Sequence, residues 1–213
     1  MCLIKMGVAE EAMRDEIIFL CTAVGRWKEP ANDGIRRAAA GVVRVKAEFE
    51  HLKVVIRLAG RMDEIENSSK LIQDQVKVWV SSGVGDEKVN EIKRSVITMK
   101  NDLLEFATVV QEEKFFWREE LIERLSDTAR GNVEDMEQLC LMSFQMLENN
   151  GGAMELGNVR RMYVDRQRGT KVFVEACEEV VVNLTAVGER TQVLIAMFDE
   201  VMNQWPMDPD NLR

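Results

Sequence analysis

Residues 156–205 read LGNVRRMYVDRQRGTKVFVEACEEVVVNLTAVGERTQVLIAMFDEVMNQW, and this stretch decides the fold. Its apolar residues recur at alternating spacings of three and four, which is typical of a helix with one buried face. Only Arg166, Thr170 and Thr191 place polar side chains in that series. At 1.5 Å per residue, a helix over 153–205 is about 70 Å long or more. The sequence therefore predicts a protein built on long helices.

The distribution of proline extends this prediction to most of the chain. No proline occurs between Ala31 and Trp205. Because proline lacks a backbone donor and clashes with the preceding helical turn, such a long gap is typical of helical proteins. Pro30, Pro206 and Pro209 are expected to lie outside the regular helices. We predict an all-α fold.

Turn signals and breaks in the apolar pattern predict about five helices. The signals are the Pro, Asn and Gly residues of 29–34, the glycines of 83–85, the Arg-Gly-Asn sequence at 130–132, and the Asn and Gly residues of 149–152. The expected elements are a short N-terminal helix over 8–27, long helices over 34–81, 86–129 and 153–205, and a short apolar helix over 133–147.

The apolar spacing also predicts how these helices pack. Heptad-like stripes on three long helices joined by tight turns favour one elongated antiparallel bundle over residues 1–213. One irregularity stands out, because the apolar phase of the helix over 34–81 slips at 61–63. A slip of this kind locally overwinds or underwinds a coiled coil.

Charge and targeting signals exclude several function classes. The net charge is −9, whereas general nucleic-acid binding needs a dominant basic field. The apolar run at 17–24 follows acidic residues, unlike a signal peptide, and no window approaches the eighteen or so apolar residues that span a bilayer. Four cysteines without a CxxC pair indicate reduced thiols. We therefore expect a cytoplasmic protein.

No pattern in the chain predicts catalysis or a cofactor. His51 is the single histidine, so Glu48 and His51 cannot form the paired Glu-x-x-His motifs of a di-iron bundle. His51 is expected at the surface. Cys140 and Cys177 lie on apolar faces and are expected to be buried, and no strand precedes the glycines that could otherwise cradle a phosphate. We expect no enzyme, metal, cofactor or small-molecule substrate.

A basic cluster near the start of the last helix is a candidate partner-binding site. It consists of Arg160, Arg161, Arg166, Arg168 and Lys171. In one interpretation these side chains pair with carboxylates of neighbouring helices, at Glu119, Glu120, Glu123, Asp127 or Glu134. In the other they dock an acidic partner or lipid headgroups. A charge at the helix-packing position 166 requires a partner and often sets pairing specificity.

The most apolar window of the chain is a second candidate surface. Its apolar members are Leu139, Leu141, Met142, Phe144, Met146 and Leu147. The window is expected to be buried by the long helices, and the alternative is a detachable element that inserts into membranes. That layout, a small apolar head between two long helices, is similar in architecture to α-helical pore-forming toxins of the cytolysin A type.

Three functions remain open at this stage. The leading hypothesis is a non-enzymatic interaction or scaffold protein that binds a protein partner or self-associates through coiled-coil-like surfaces. A membrane-active protein that uses residues 139–147 is the alternative. A viral or effector-type helical protein that binds a host factor is the second alternative. Fold class alone does not choose among them.

Overall fold

The computed structural model describes the backbone of residues 2–45, 49–82, 86–149 and 153–205, and the side chains of 10–45, 50–79, 87–143 and 157–205. These residues form four α-helices: α1 (Cys2–Val45), α2 (Phe49–Ser82), α3 (Asp86–Asn149) and α4 (Ala153–Met202). The predicted all-α class is confirmed, whereas the predicted number of five helices is wrong. The turn predicted at 83–85 and the tail with Pro206 and Pro209 lie outside the described residues, as do residues 150–152 of the turn predicted at 149–152, whose Asn149 is the last residue of α3.

Helix α1 runs through the turn predicted at 29–34 without a break, and Pro30 lies inside it. An interior proline costs about 3 kcal/mol. Trp27 and Ile35, one or two turns away on either side, are almost fully buried, and burial of each such side chain contributes about 1.5–3 kcal/mol. Burial of the flanking turns therefore offsets the proline. Gly34 packs on Val187 of α4, where an added Cβ would overlap the valine methyl, so this glycine serves close packing rather than a turn.

The long helix predicted over 34–81 is two helices, because α1 ends at Val45 and α2 begins at Phe49. The buried side of α2 has regular spacing, and its members are Val55, Leu58, Met62, Ile65, Ser69, Ile72, Val76 and Trp79. Ile56 continues the three-and-four spacing of the apolar residues of α1, yet it is exposed. The apparent phase slip at 61–63 arose because the apolar spacing of α1 was continued into α2, whose buried residues have their own phase.

The break predicted at 130–132 is also wrong, since α3 continues to Asn149 and includes the segment predicted as a separate short helix. Gly131 is buried inside α3, and the guanidinium of Arg166 from α4 occupies the space that a Cβ would fill. A glycine is suited to this helix position because it has no Cβ to overlap the guanidinium of Arg166.

The four helices pack as a helical bundle in which neighbouring helices run antiparallel. Contacts between α1 and α4 show this directly, because Gly34 meets Val187 whereas Gly41, further along α1, meets Val180, earlier on α4. The same inverse order relates α2 to α3, where His51 meets Glu113 and Arg61 meets Glu105, and α3 to α4, where Thr128 meets Thr170 and Asn132 meets Gln167. Helices α1 and α2 are consecutive, and the middle of α1 at Lys28 meets the middle of α2 at Asp63 and Glu66, so these two helices also run in opposite directions.

The hydrophobic core occupies only part of the length of α3 and α4. On α3 its last fully buried residue is Trp117, and on α4 its first is Cys177. Leu121 and Phe173 pack against its edge. Residues 118–143 of α3 and 157–175 of α4 continue beyond it as a pair of helices, about 39 Å long on α3 and about 28 Å on α4, which we call the arm. The rest of the bundle is the four-helix part.

Candidate interaction surface

The arm is held together by polar contacts more than by a dry core. Its clearest contact is an ion pair between Arg166 Nη1 and Asp135 Oδ2 at 3.1 Å, in which the Asp135 side chain is almost fully buried. Asp135 Oδ2 has no hydrogen-bond partner among the described residues, so its attraction to Arg166 is that of opposite charges at close range. The predicted need of Arg166 for a partner is thus met by a carboxylate that the sequence analysis did not name.

Two further polar contacts lie along the same line between α3 and α4. Gln167 Nε2 donates to Asn132 Oδ1 at 2.7 Å, and the hydroxyls of Thr128 and Thr170 are 3.1 Å apart. Hydrogen bonds of this kind contribute about 0.5–1.5 kcal/mol each and require one relative register of the helices. The arm therefore has a specified register with little apolar burial.

The basic cluster lies on the arm, on the face of α4 that points away from α3. Arg160, Arg161, Arg168 and Lys171 are exposed, and Arg166 alone turns toward α3. Lys171 Nζ is 3.8 Å from Glu175 Oε1 on the same helix. The three exposed arginines make no ion pair with any residue whose side chain the structure describes.

The pairing expected in the first interpretation of the cluster is not formed. The carboxylates of Glu119, Glu120, Glu123, Asp127 and Glu134 make no ion pair with the cluster among the described side chains. Asp127 instead accepts from Arg130 of its own helix, at 2.6 Å. Arg160, Arg161 and Arg168 therefore present positive charge that no described side chain pairs with, on a protein whose net charge is negative.

The two helices of the arm carry opposite charge excess. Residues 118–143 contain seven carboxylates and three arginines, whereas residues 157–175 contain five basic side chains and two carboxylates. Because like charges repel and unlike charges attract, one helix of the arm is suited to basic partners and the other to acidic ones.

An exposed apolar stripe on α3 was missed by the sequence analysis. Ile122, Leu125, Val133 and Met136 are all exposed, and their spacings of three, eight and three place them on one side of the helix. A signal for it exists in the sequence, because the second half of α3 is apolar at more positions than one buried face requires. The stripe lies beside, not on, the contact line with α4.

The apolar window at 139–147 is only partly buried where its side chains are described. Leu139 and Met142 are half-buried, while Leu141 is 62% exposed and Cys140 is exposed. The expectation that Cys140 is buried is therefore wrong. Side chains of the remaining candidates lie outside the described residues, namely Phe144, Met146 and Leu147.

His51 is half-buried where α2 meets α3, which corrects the expectation of a surface histidine. Its ring stacks on Phe116 with centroids 3.7 Å apart, and Nδ1 lies 3.3 Å from Oε2 of the buried Glu113. Among the described residues no group of three or more His, Cys, Asp or Glu side chains is arranged to hold a metal ion.

The buried thiols of the four-helix part are poor nucleophiles. Burial raises the pKa of Cys21 to about 12. Burial, assisted by the charge of Glu120, raises the pKa of Cys177 to about 11. Because the thiolate is the reactive form, both side chains act as apolar packing groups at neutral pH.

One finding differs from the expectation that no segment is long and apolar enough to cross a bilayer. Between Gly157 and Met202, α4 contains an 18-residue window of sufficient length and mean hydropathy, and 33% of that window is buried within the bundle. The apolar side of a core helix passes the same test.

Comparison with known proteins adds no family to these observations. No family model, no curated protein and no solved structure matches the chain.

Proposed function

We propose that the protein is a non-enzymatic interaction protein that assembles through its arm, and that the partner is the arm of a second copy of the chain. The single observation behind this proposal is that the arm is an incomplete bundle with opposite charge on its two helices. Beyond the end of α1 and the beginning of α2, α3 and α4 continue without the two helices that cover them elsewhere.

A second arm would supply the missing pair of helices. Its acidic α3 segment is complementary to the basic α4 segment of the first copy, and the reverse contact has the same complementarity. Such reciprocal use of one surface is the rule for two-fold dimers. A face roughly 30 to 40 Å long and about 20 Å wide corresponds to about 600–800 Å² per partner, which lies within the range of standard specific interfaces.

The exposed apolar stripe supports the same arrangement. Interfaces place apolar side chains at the centre and charged ones at the rim. On the arm, Ile122 and Met136 belong to the stripe, while Arg160 and Arg161 lie at the outer face of the neighbouring helix. The rim charges would direct pairing, and the stripe would supply the buried apolar area.

The test is the mass of the protein in solution, measured by sedimentation equilibrium over a range of concentrations. We expect a dimer for the natural chain and a monomer for Arg160→Glu/Arg161→Glu, because the reversed charges would face carboxylates. The matched control is Arg36→Glu/Arg37→Glu, two adjacent exposed arginines of α1 in the four-helix part. If the control variant dissociates to the same extent, the dissociation is caused by the change of net charge and not by the arm.

A charge swap makes this test sharper. Glu119→Arg/Glu137→Arg reverses two exposed carboxylates at different heights on α3 and should also give a monomer. Mixing the two monomeric variants should restore a dimer, because each contact then joins opposite charges. A monomeric natural chain, or variants that fail to associate on mixing, would contradict the proposal.

A membrane-active protein is the second candidate, and the exposure of Leu141 together with the apolar window of α4 favours it. It predicts co-sedimentation with liposomes and release of an entrapped dye. Leu141→Asp should abolish both without loss of helicity, because an exposed position tolerates charge. Neither binding nor release with neutral and anionic vesicles would remove this candidate.

A further inference from the structure

A groove of about 600 Å³ opens between α1 and α4 in the four-helix part, on a surface separate from the arm. Phe19, Ala23 and Trp27 of α1 form one wall, and Leu194 and Met197 of α4 form the other. Its volume lies within the range of pockets that hold small molecules, about 300–1,000 Å³.

The groove is apolar at one end and charged at the other. Because α1 and α4 are antiparallel, Phe19 lies near Met197 at one end, whereas Pro30 lies near Glu189 and Arg190 at the other. The α1 residues from 19 to 30 span about 16 Å of helix. The groove is thus elongated, with its polarity arranged along its length.

The polar groups in the apolar half already have partners. The indole Nε1 of Trp27 donates to Thr191 Oγ1 at 3.1 Å, and the hydroxyl of Thr22 donates to the carbonyl of Ile18 at 2.8 Å. A hydrocarbon chain in this half would therefore leave no buried donor or acceptor without a hydrogen bond. On the lip, Phe19 is 52% exposed and Val193 is 57% exposed, so apolar surface remains there for a ligand to cover.

The charged end carries two arginines and one carboxylate. Arg26, Arg190 and Glu189 are all exposed, and none of them forms an ion pair with another described residue. Arginine recognises carboxylate, phosphate and sulfate groups through its planar set of donors. With two guanidinium groups against one carboxylate, this end attracts a negatively charged group.

We propose that this groove binds a single-chain amphiphile with an anionic headgroup, of which a fatty acid is the simplest, with its chain along Ala23 and Trp27 and its headgroup between Arg26 and Arg190. Apolar lining with a few polar groups at one place is the usual composition of such sites. The proposal does not depend on the function proposed for the arm.

The test is titration calorimetry of the full chain with dodecanoate, kept below the concentration at which it forms micelles, and with dodecanol as the uncharged probe. We expect one saturable site for dodecanoate and at least tenfold weaker dodecanoate binding by Arg26→Gln/Arg190→Gln. Dodecanol binding should be unchanged by that variant. Glu189→Gln should tighten dodecanoate binding, because it removes the like charge at this end.

A second set of variants tests the apolar half of the groove by filling it with a larger side chain. Ala23→Phe should weaken binding of both probes, and Ala196→Phe, on an exposed position of α4 outside the groove, should change neither. If Ala23→Phe unfolds the protein, Val193→Glu tests the same half, because it puts a charge on the exposed lip.

Three results would overturn the proposal. The first is the absence of saturable dodecanoate binding, and the second is equal loss of both probes in the double arginine variant. The third is a dimer that Val193→Glu dissociates, since the groove would then be covered by a second copy.

Discussion

The four-helix part and the arm share the same two helices, yet α3 and α4 are stabilised differently in each. In the four-helix part, Phe106 of α3 and Leu184 of α4 are fully buried, and Trp27 of α1 packs edge-on against Phe106 with ring centroids 5.4 Å apart. In the arm, Gly131, Asp135 and Val159 are the buried residues among those described. Regular heptad spacing therefore does not ensure a buried core; the number of covering helices decides how much of each stripe is removed from water.

The largest expected effect is a difference between the two regions in how much the loss of one leucine side chain lowers the free energy of unfolding. Leu184→Ala removes a fully buried side chain of the four-helix part and should cost about 2–5 kcal/mol. Leu125→Ala removes a side chain that is exposed in the single chain. At concentrations low enough to dissociate the proposed dimer, it should change the free energy of unfolding by no more than about 0.5 kcal/mol. Urea unfolding followed by circular dichroism measures both variants. A loss for Leu125→Ala that grows with protein concentration is expected if the arm is covered in the dimer, whereas a loss as large as that of Leu184→Ala at every concentration would contradict the difference between the two regions.

A smaller effect is expected from the ion pair of the arm. Arg166→Met leaves the carboxylate of Asp135 almost fully buried without a counter-charge, at a cost of about 1–3 kcal/mol. The loss should appear as faster amide hydrogen exchange in 118–143 and 157–175, because local opening of the arm does not require the four-helix part to unfold.

The matched control for this experiment replaces both charges. Arg166→Met/Asp135→Leu should recover much of the lost protection, because a pair of apolar side chains needs no counter-charge. If the single variant accelerates exchange in α1 and α2 to the same extent, the arm and the four-helix part unfold as one unit.

The smallest effect is a dependence of stability on pH that belongs to the four-helix part. Lys28 Nζ lies 2.6 Å from both Asp63 Oδ1 and Glu66 Oε2. Hydrogen bonds to Asp63 and Glu66 raise the pKa of Lys28 above 10.5, and those from Lys28 and Lys70 lower the pKa of Glu66 below 4.5.

The sign of each shift defines the pH window of this stabilisation. The contribution of Glu66 is present above pH 4.5 and is lost as the pH falls through the lowered pKa. The contribution of Lys28 is present below pH 10.5 and is lost as the pH rises through the raised pKa. Lys28→Met should reduce the free energy of unfolding by about 1 kcal/mol at pH 7 and flatten its fall below pH 4.5. If the free energy of unfolding of Lys28→Met falls below pH 4.5 as steeply as that of the natural chain, groups other than Lys28 and Glu66 cause the acid dependence.

The helix content and several buried faces could be predicted from particular residues. Ile92, Val96, Met99, Leu103, Phe106 and Val110 form the buried stripe of α3, as their spacing predicted. The stripe from Cys177 to Val201 on α4 is likewise buried at its predicted positions. Such stripes are readable because the helical repeat converts spacing along the chain directly into one face.

Helix ends and the exposed surfaces were predicted less well. Pro30 and Gly131 have strong local preferences against helix, yet both lie inside helices because the burial of Trp27 and Ile35 and the contact with Arg166 outweigh those preferences. Within the candidate surface, the basic cluster was identified from the sequence, but Asp135 as the partner of Arg166 and the stripe around Ile122 were not. Partners and exposure depend on helices distant in the chain.

The sequence by itself determined that the chain is helical and which face of each long helix is apolar, because both follow from interactions within a few turns. Only the tertiary structure decided where the helices end, that α1 and α2 cover part of α3 and α4, and that the remainder forms an arm with opposite charge on its two helices. Those features arise from contacts between residues far apart in the chain, and their energies exceed the local preferences of a proline or a glycine.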